Sequence, residues 1–424
     1  MKKICIVTTR HISYNPRVLK EADTLHQAGY KVSVVTVNNH SVQRSFDEDL
    51  MRTRKWTLLT VNFRREVTSE RYLWLYLSIK HKLFAVLARL TFKMGIAERA
   101  INKAYDHLLR KAKQEQADLY IVHHPEALGI GFRASQANRS KFAYDAEDFH
   151  TGMSESVTSF KEEKNIAFVE KKYLPYCNYI TAASKGIGEA YIDKYAIGHP
   201  VTILNVFPKV QLTVSPVNNP VRFYWYSQVI GPNRSLELLL AAASEIKEPF
   251  EIHLRGSFQN GQYKHTLLQL IDEYHLHGKI FFHQPILAED IIPDACQFDV
   301  GLALESAVSL NRKICVTNKS FSYLMSGLAI IATDTYGQKD ILSPYSEVAY
   351  ICETDNKEAL VNAMLFYINQ PGVLLKAKHA ARNLAEDLFN WEEESKKFLR
   401  CVREVLESSQ EVKHAYVSQA TSVY

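Results

Sequence analysis

Short runs rich in Val, Ile and Leu alternate with helix-period segments along most of the chain, and this alternation limits the fold more than any other feature. Residues 3–8 form an apolar run and 10–14 a loop. Asn15-Pro16 then fits a helix N-cap followed by proline at the first helical position. Val18, Ala22 and Leu25 recur at helical spacing, Gly29 closes the helix, and residues 31–37 form a second run ended by Asn38-Asn39. Two apolar strands joined by a helix make a βαβ unit with a parallel sheet. Further strands are expected at 119–123, 142–145, 179–182 and 201–206, with helices at 70–115, 160–174 and 185–195. Residues 207–220 hold Pro208, Pro216, Asn218, Asn219 and Pro220 and read as a linker. The alternation then restarts, with strands at 221–227, 250–254, 280–283, 300–304 and 329–333 and helices between and after them. The fold class is therefore α/β in two domains of similar size, which suits 424 residues.

Residues 391–406 form an amphipathic helix with Trp391, Phe398, Val402 and Val405 on one face. Glu392 and Glu393 each stand four residues before Lys396 and Lys397, a favourable order for ion pairs. Residues 411–424 show no periodicity and are expected to be a loose tail.

Several classes are excluded. The six cysteines are scattered, without Cys-x-x-Cys or zinc spacing, which suits buried thiols in a reducing compartment. The apolar run after Met1-Lys2-Lys3 is too short for a secretory leader, and no stretch approaches the roughly 20 apolar residues of a spanning helix. A cytoplasmic protein is expected. No nucleophile-elbow spacing points to a hydrolase triad.

Acidic residues belong at helix N-termini, where the unpaired N–H groups carry partial positive charge. Three helices here begin with a cation instead: Arg17 after Asn15-Pro16, Arg234 in Gly231-Pro232-Asn233-Arg234-Ser235, and Lys319 in Asn318-Lys319-Ser320. Each follows a strand or its loop, at the sheet end where α/β proteins bind ligands. Backbone N–H groups with a cation form a phosphate site, so Arg234 and Lys319 are candidates to grip a diphosphate. The plainer alternative is a solvated surface cation. In the first half, His123-His124-Pro125-Glu126 follows a strand directly, and Asp145 and Glu147 alternate at the end of another and so share a face. The alternatives are a packed histidine and a solvated acidic loop.

The net charge of +5 is uneven. Residues 51–113 hold 15 Lys/Arg and four acids, while the rest of the chain is net acidic. Residues 64–113 mix these cations with Tyr72, Trp74, Tyr76, Phe84 and Phe92. Three readings compete: a surface for an anionic bilayer, a nucleic-acid surface without a recognition motif, or a solvated basic face with aromatics packed on the sheet.

These residues also resemble a known family, the GT-B fold glycosyltransferases of family 4 ("group 1"). The resemblance covers nearly the whole chain. It rests on Asn15-Pro16-Arg17-Val18 with Glu21-Ala22, Leu25 and Gly29; on Tyr179-Ile180-Thr181-Ala182-Ala183-Ser184; on Leu204-Asn205-Val206; on Arg234-Ser235-Leu236-Glu237; and on Asn318-Lys319-Ser320-Phe321-Ser322-Tyr323-Leu324 with Gly327. It implies two Rossmann-like domains whose parallel sheets face across a cleft. The acceptor-side domain would span 1–206, the donor domain 207–390, and a helix at 391–410 would cross back.

The resemblance implies sugar transfer from a nucleoside-diphosphate donor to a hydroxyl, with retention and no metal or other cofactor, in cell-surface polysaccharide or glycolipid synthesis. Arg234, Lys319 and Asn318 would hold the diphosphate, and Ser322, Gly327 and Glu305 the nucleotide or sugar. His124, Glu147 and Asp145 would be catalytic, the carboxylates orienting the acceptor hydroxyl or taking its proton. Arg17 and His123 would line the acceptor side. The acceptor would be a sugar or lipid-linked sugar, reached at the inner membrane face through 64–113, with no nucleic-acid partner. The chain departs from the family's paired glutamates, which would fall at Ile314 and Ser322, and from a Gly-Arg pair near Gln228. A catalytically silent binding scaffold and a nucleotide-sugar epimerase are the rival readings.

Overall fold

The computed structural model describes residues 1–153 and 157–408, so the tail expected at 411–424 lies outside the described residues. Seven strands form the first sheet: β1 (Lys3–Val7), β2 (Lys31–Asn38), β3 (Thr57–Asn62), β4 (Leu119–His123), β5 (Lys141–Ala146), β6 (Tyr179–Ala182) and β7 (Val201–Thr202). Six form the second: β8 (Val221–Ile230), β9 (Phe250–Phe258), β10 (Ile280–His283), β11 (Val300–Ala303), β12 (Ala329–Thr333) and β13 (Ala349–Cys352). The orders are β3-β2-β1-β4-β5-β6-β7 and β10-β9-β8-β11-β12-β13. The paired strands are parallel in both. Helices cover both faces of such sheets, which is why their strands read as unbroken apolar runs: all five residues of β4 are buried. In each sheet the strand order turns beside the first strand, β1 or β8. That turn opens a crevice at the carboxyl ends.

The expected 70–115 helix is three helices, Thr68–Leu87, Ile96–Ile101 and Tyr105–Glu115. Gly95 at φ +76° turns the chain between the first two. Strand β3 and the helices Ser41–Met51 and Pro125–Asn138 were not expected. β3 is a half-polar edge strand. Pro125–Asn138 carries two glycines in its interior, and at Gly131 a Cβ would press within 2.8 Å of the Phe142 ring.

The helix Trp391–Glu407 crosses to the first domain. Trp391 Nε1 donates to Thr24 Oγ1 at 2.9 Å, and Glu394 accepts from the Leu204 amide at 2.9 Å. The surface ion pairs are not the expected ones. Lys396 pairs with Glu393 and Lys397 with Glu394, three residues apart, because Glu392 turns to accept from the Lys209 amide in the linker.

A second seam joins the domains on the cleft side. Asn311, in the helix Leu310–Ile314, accepts from the Phe149 amide at 2.7 Å and donates to Asp148 at 2.9 Å. Ser184 Oγ donates to the Ile314 carbonyl at 2.8 Å. Ile314 itself packs into the first domain's core. At Gly186 an added Cβ would come within 2.9 Å of the Ile314 carbonyl oxygen, a backbone atom that cannot swing away. Gly186→Ala is expected to cost about 1–3 kcal/mol, read as a lower urea midpoint. Gly188→Ala, whose Cβ would meet only ordinary contacts at 3.7 Å, should leave the midpoint unchanged or raise it.

Candidate functional site

The carboxyl end of the first sheet holds a buried charged network. Parallel register sets His123 of β4 beside Asp145 of β5, and Asp145 beside Thr181 of β6. The helix Pro16–Gln27 delivers Arg17 and Glu21 from above, and Asn15 caps it by accepting from the Val18 amide. Fully buried Arg17 makes a two-pronged ion pair with Asp145, Nε to Oδ2 at 2.6 Å and Nη2 to Oδ1 at 2.7 Å, and donates to the Ile203 carbonyl at 2.7 Å. His123 Nε2 lies 3.0 Å from Glu21 Oε2, and its Nδ1 lies 2.9 Å from Glu147 Oε1. Asn15 Nδ2 also donates to Glu147 Oε1, at 2.9 Å.

Three carboxylates therefore face two cations. Burial raises the pKa of Glu21, which brings the count toward balance. Burial works against a charged His123, but Glu21, Glu147 and Asp145 outweigh it and raise its pKa to about 10. Burial would raise Glu147 too, yet the His123 hydrogen bond holds it well below the usual carboxylate range. Its side chain keeps 18% exposure, against 0–1% for Arg17, Glu21, His123 and Asp145, so it is the member that reaches the surface.

His123 gains its proton on folding. Its contribution is full below the ordinary value of 6.5 and is lost as pH rises through about 10. The urea-midpoint gap between the wild type and His123→Gln should therefore narrow between pH 6.5 and 10. A gap constant over that range would refute a charged His123.

Three expectations need correcting. Asp145 cannot take a substrate proton, because Arg17 and Thr181 occupy its oxygens in the core. Arg17 is not an acceptor-side cation; the anion that offsets it at the helix start is Asp145. His123 lies wholly inside the network and touches no opening. His124 differs. It sits at φ +66°, ψ 146°, a strained conformation for a residue with a side chain. Burial lowers its pKa to about 4, so the ring is neutral. Asn15 Nδ2 donates to its Nε2 at 3.3 Å, which places the proton on Nδ1, and that buried N–H has no partner among the described residues. The His150 ring stands edge-on to it at 6.0 Å, and His150 Nε2 is also unpartnered. Sequence reasoning missed the second role of Asn15 and the whole of His150. Only the fold links Asn15 to Glu147, 132 residues apart.

On the second sheet, the loop before the helix Leu236–Ala243 carries half-buried Arg234, with Asn233 and Ser235 both at positive φ. The Asn233 carbonyl accepts from Ser306 Oγ at 2.8 Å and Arg312 Nη1 at 2.5 Å, tying this loop to the segment after β11. Lys319 starts the helix Asn318–Ser326 behind exposed Asn318. Its Nζ meets Glu305 Oε1 at 2.5 Å and lies over the Trp225 ring. The structure thus brings a carboxylate to this helix start from a spacing that matches no family glutamate. Ser322 does not face the cleft. It is fully buried, bonded to Tyr226 at 2.9 Å and to its own helix. Gly327 lies at the opposite end of that helix, where φ +70° closes it against Val214 and Arg382.

Among the described residues, one group of acids and histidines gathers its ligating atoms within 4.8 Å: Glu21, His123 and Asp145. Arg17 already grips both oxygens of Asp145 there. The chain's Asp-x-Asp sequence, Asp47-Glu48-Asp49, sits on the helix Ser41–Met51, with Asp47 bonded to His11 and Ser13 and Asp49 to Arg52. The six cysteines are free thiols.

No family model and no curated protein matches the chain. Solved structures do. Anabaena HepE in complex with UDP is 13% identical, covers 95% of this chain and 100% of its own, and has a TM-score of 0.69. Sucrose-phosphate synthase from Thermosynechococcus elongatus is 15% identical, with 96% and 100% covered and a TM-score of 0.70. A structure of S. aureus TarM with UDP, fondaparinux and alpha-GlcNAc-glycerol is 12% identical, with 96% and 100% covered and a TM-score of 0.69. At these identities the likeness establishes the fold: the architecture is GT-B, two Rossmann-like domains with parallel sheets facing across a cleft.

Proposed function

We propose that this chain transfers a hexosyl group from a nucleoside-diphosphate sugar to a hydroxyl acceptor, with retention and without a metal, in polysaccharide or glycolipid synthesis. One observation carries the reading. The Asp148–Asn311 and Phe149–Asn311 bonds set the end of β5, where Glu147 emerges, against the segment running from Glu305 to Lys319. On this reading a carboxylate and a neutral histidine N–H from one sheet work with cations and helix starts from the other. Lys319, Arg234 and the amides of Asn318–Ser326 suit the departing diphosphate, whose charge grows in the transition state. Glu147, held ionised by His123, suits orienting the acceptor hydroxyl, and His124 Nδ1–H a sugar oxygen. The UDP bound by HepE and TarM supports a nucleoside diphosphate as the leaving group.

The test is thermal shift against a panel of nucleoside diphosphates, followed by donor turnover. A shift for one base, reduced by both Arg234→Ala and Lys319→Met, is the expected result. Binding without turnover would favour the silent scaffold. That second reading draws on Ile314 packed in the seam and Ser322 buried in the core, the two positions where the family has glutamates.

The same proposal places the enzyme on an anionic membrane face, acting on a lipid-linked acceptor. Along the helix Thr68–Leu87, Tyr72, Leu75, Tyr76, Ile79, Leu83 and Val86 recur at helical spacing, each at least half exposed, and Leu90 and Met94 follow. Residues 71–97 hold five Lys/Arg and no acid. An exposed apolar stripe flanked by cations is what an interfacial helix requires. No helix among the described residues is long and apolar enough to cross a membrane. Lys80 is paired with Asp106, so the cations available to lipid are Arg71, Lys82, Arg89 and Lys93. Replacing Leu75, Ile79 and Leu83 by serine should abolish co-sedimentation with phosphatidylglycerol vesicles while leaving the unfolding midpoint unchanged. Co-sedimentation that survives this change would rule the stripe out.

A further inference from the structure

An opening of about 260 Å³ lies at the carboxyl end of the first sheet. That is close to the ~300 Å³ at which ligand pockets begin. Arg10 after β1, Phe63 after β3, Trp74 of the helix Thr68–Leu87, Lys103, and Glu126 of the helix Pro125–Asn138 line it. Nearby cations have carboxylate partners: Arg54 has Asp23, Arg64 has Glu70, and Lys80 and Arg99 share Asp106. Among the described residues, neither Lys103 nor the Arg10 guanidinium has one. Lys103 Nζ instead lies 4.7 Å from the Trp74 ring centroid and 5.5 Å from that of Phe63. Aromatic faces hold the ammonium in place and leave its N–H donors without an oxygen. Burial lowers the Lys103 pKa, with no carboxylate opposing it. In the same lining, Glu126 Oε2 is buried without a hydrogen-bond partner. Glu126 stands in the first turn of the helix that His124 precedes, and Asn15 bonds both His124 and Glu147, so this pocket adjoins the Glu147 centre.

A half-buried ammonium and an exposed guanidinium, neither paired with a carboxylate, beside a buried carboxylate oxygen without a hydrogen bond, suit an oxyanion with a hydroxyl beside it. We propose that this pocket seats the acceptor and that the acceptor is an anionic sugar, its phosphate or carboxylate on Lys103 and Arg10 and a hydroxyl donating to Glu126. The proposal rests on the glycosyl-transfer reading for the word acceptor, and on the pocket alone for the ligand class.

The test is calorimetric titration of the full chain with glucose 6-phosphate, glucuronate, glucose and inorganic phosphate, alongside binding to phosphatidylinositol vesicles. At least one anionic sugar should bind, with glucose and inorganic phosphate at least about tenfold weaker. Lys103→Met and, independently, the exposed-site change Arg10→Gln should each weaken that binding about tenfold, the loss of one charge-assisted contact. The thermal shift with UDP should not change in either variant. Binding to vesicles alone, lost in Lys103→Met, would assign the same chemistry to a lipid-borne headgroup. Equal binding of glucose or of inorganic phosphate, indifference to both substitutions, or no anionic ligand binding in any arm would overturn the proposal. If UDP gives no shift while an anionic sugar binds through Lys103, the transferase reading falls and the pocket stands. If UDP shifts and no anionic sugar binds, the reverse holds.

Discussion

Arg17→Leu is expected to cost about 3–5 kcal/mol of folding stability, the usual result of removing one partner from a buried ion pair. The guanidinium is fully enclosed and makes three bonds, two to Asp145 and one to the Ile203 carbonyl. Without it, Asp145 and Glu21 remain in the core with His123 as their one cation. The measurement is the urea unfolding curve at neutral pH. Changing both residues, Arg17→Leu with Asp145→Leu, should restore part of the loss, because two apolar side chains bury no unpaired charge. A single variant within about 1 kcal/mol of wild type would show that the ion pair does not hold the domain together.

Glu147→Gln is expected to lower the turnover number by about tenfold, the loss of one charge-assisted hydrogen bond that orients the acceptor hydroxyl. The amide keeps the shape and an oxygen for Asn15 and His123, so the UDP thermal shift should stay near wild type, while loss of the charge opposite buried His123 should lower the urea midpoint. Asp145→Asn should reduce stability first, since Arg17 and Thr181 already hold its carboxylate. This pair of variants separates the surface-reaching carboxylate from the core one, which sequence spacing treats alike. Turnover unchanged in Glu147→Gln would place the acceptor contact elsewhere.

The sheets were legible because parallel strands covered on both faces read as continuous apolar runs, and the Asn15-Pro16 cap and Gly327 stop are local signals. β3 was not legible, because an edge strand with polar residues inside a basic block lacks that signature. Helical patterning ran across 88–95, since the first helix ends at Ala88 without a glycine or proline stop and left-handed Gly95 only starts the next one. The helix Pro125–Asn138 was hidden by glycines that its close packing requires. At the site, spacing identified which residues gather at the carboxyl ends but not their depth. Asp145 and Glu147, two residues apart, end in the core and at the surface, because Arg17 arrives from a helix 128 residues away. Glu305 shows the converse. It fits no family spacing, yet the turn after β11 carries it to Lys319.

The helix Trp391–Glu407 also bears on how the chain is made. It is synthesised after both sheets, yet its Trp391 and Glu394 bond to Thr24 and Leu204 of the first domain, and Phe398 and Val402 share a core with Ile4 and Val18. On the ribosome, the first domain must therefore emerge and wait with that apolar surface uncovered until the second domain and this helix have been translated. The first domain is thus exposed to aggregation longest during synthesis, although it emerges first.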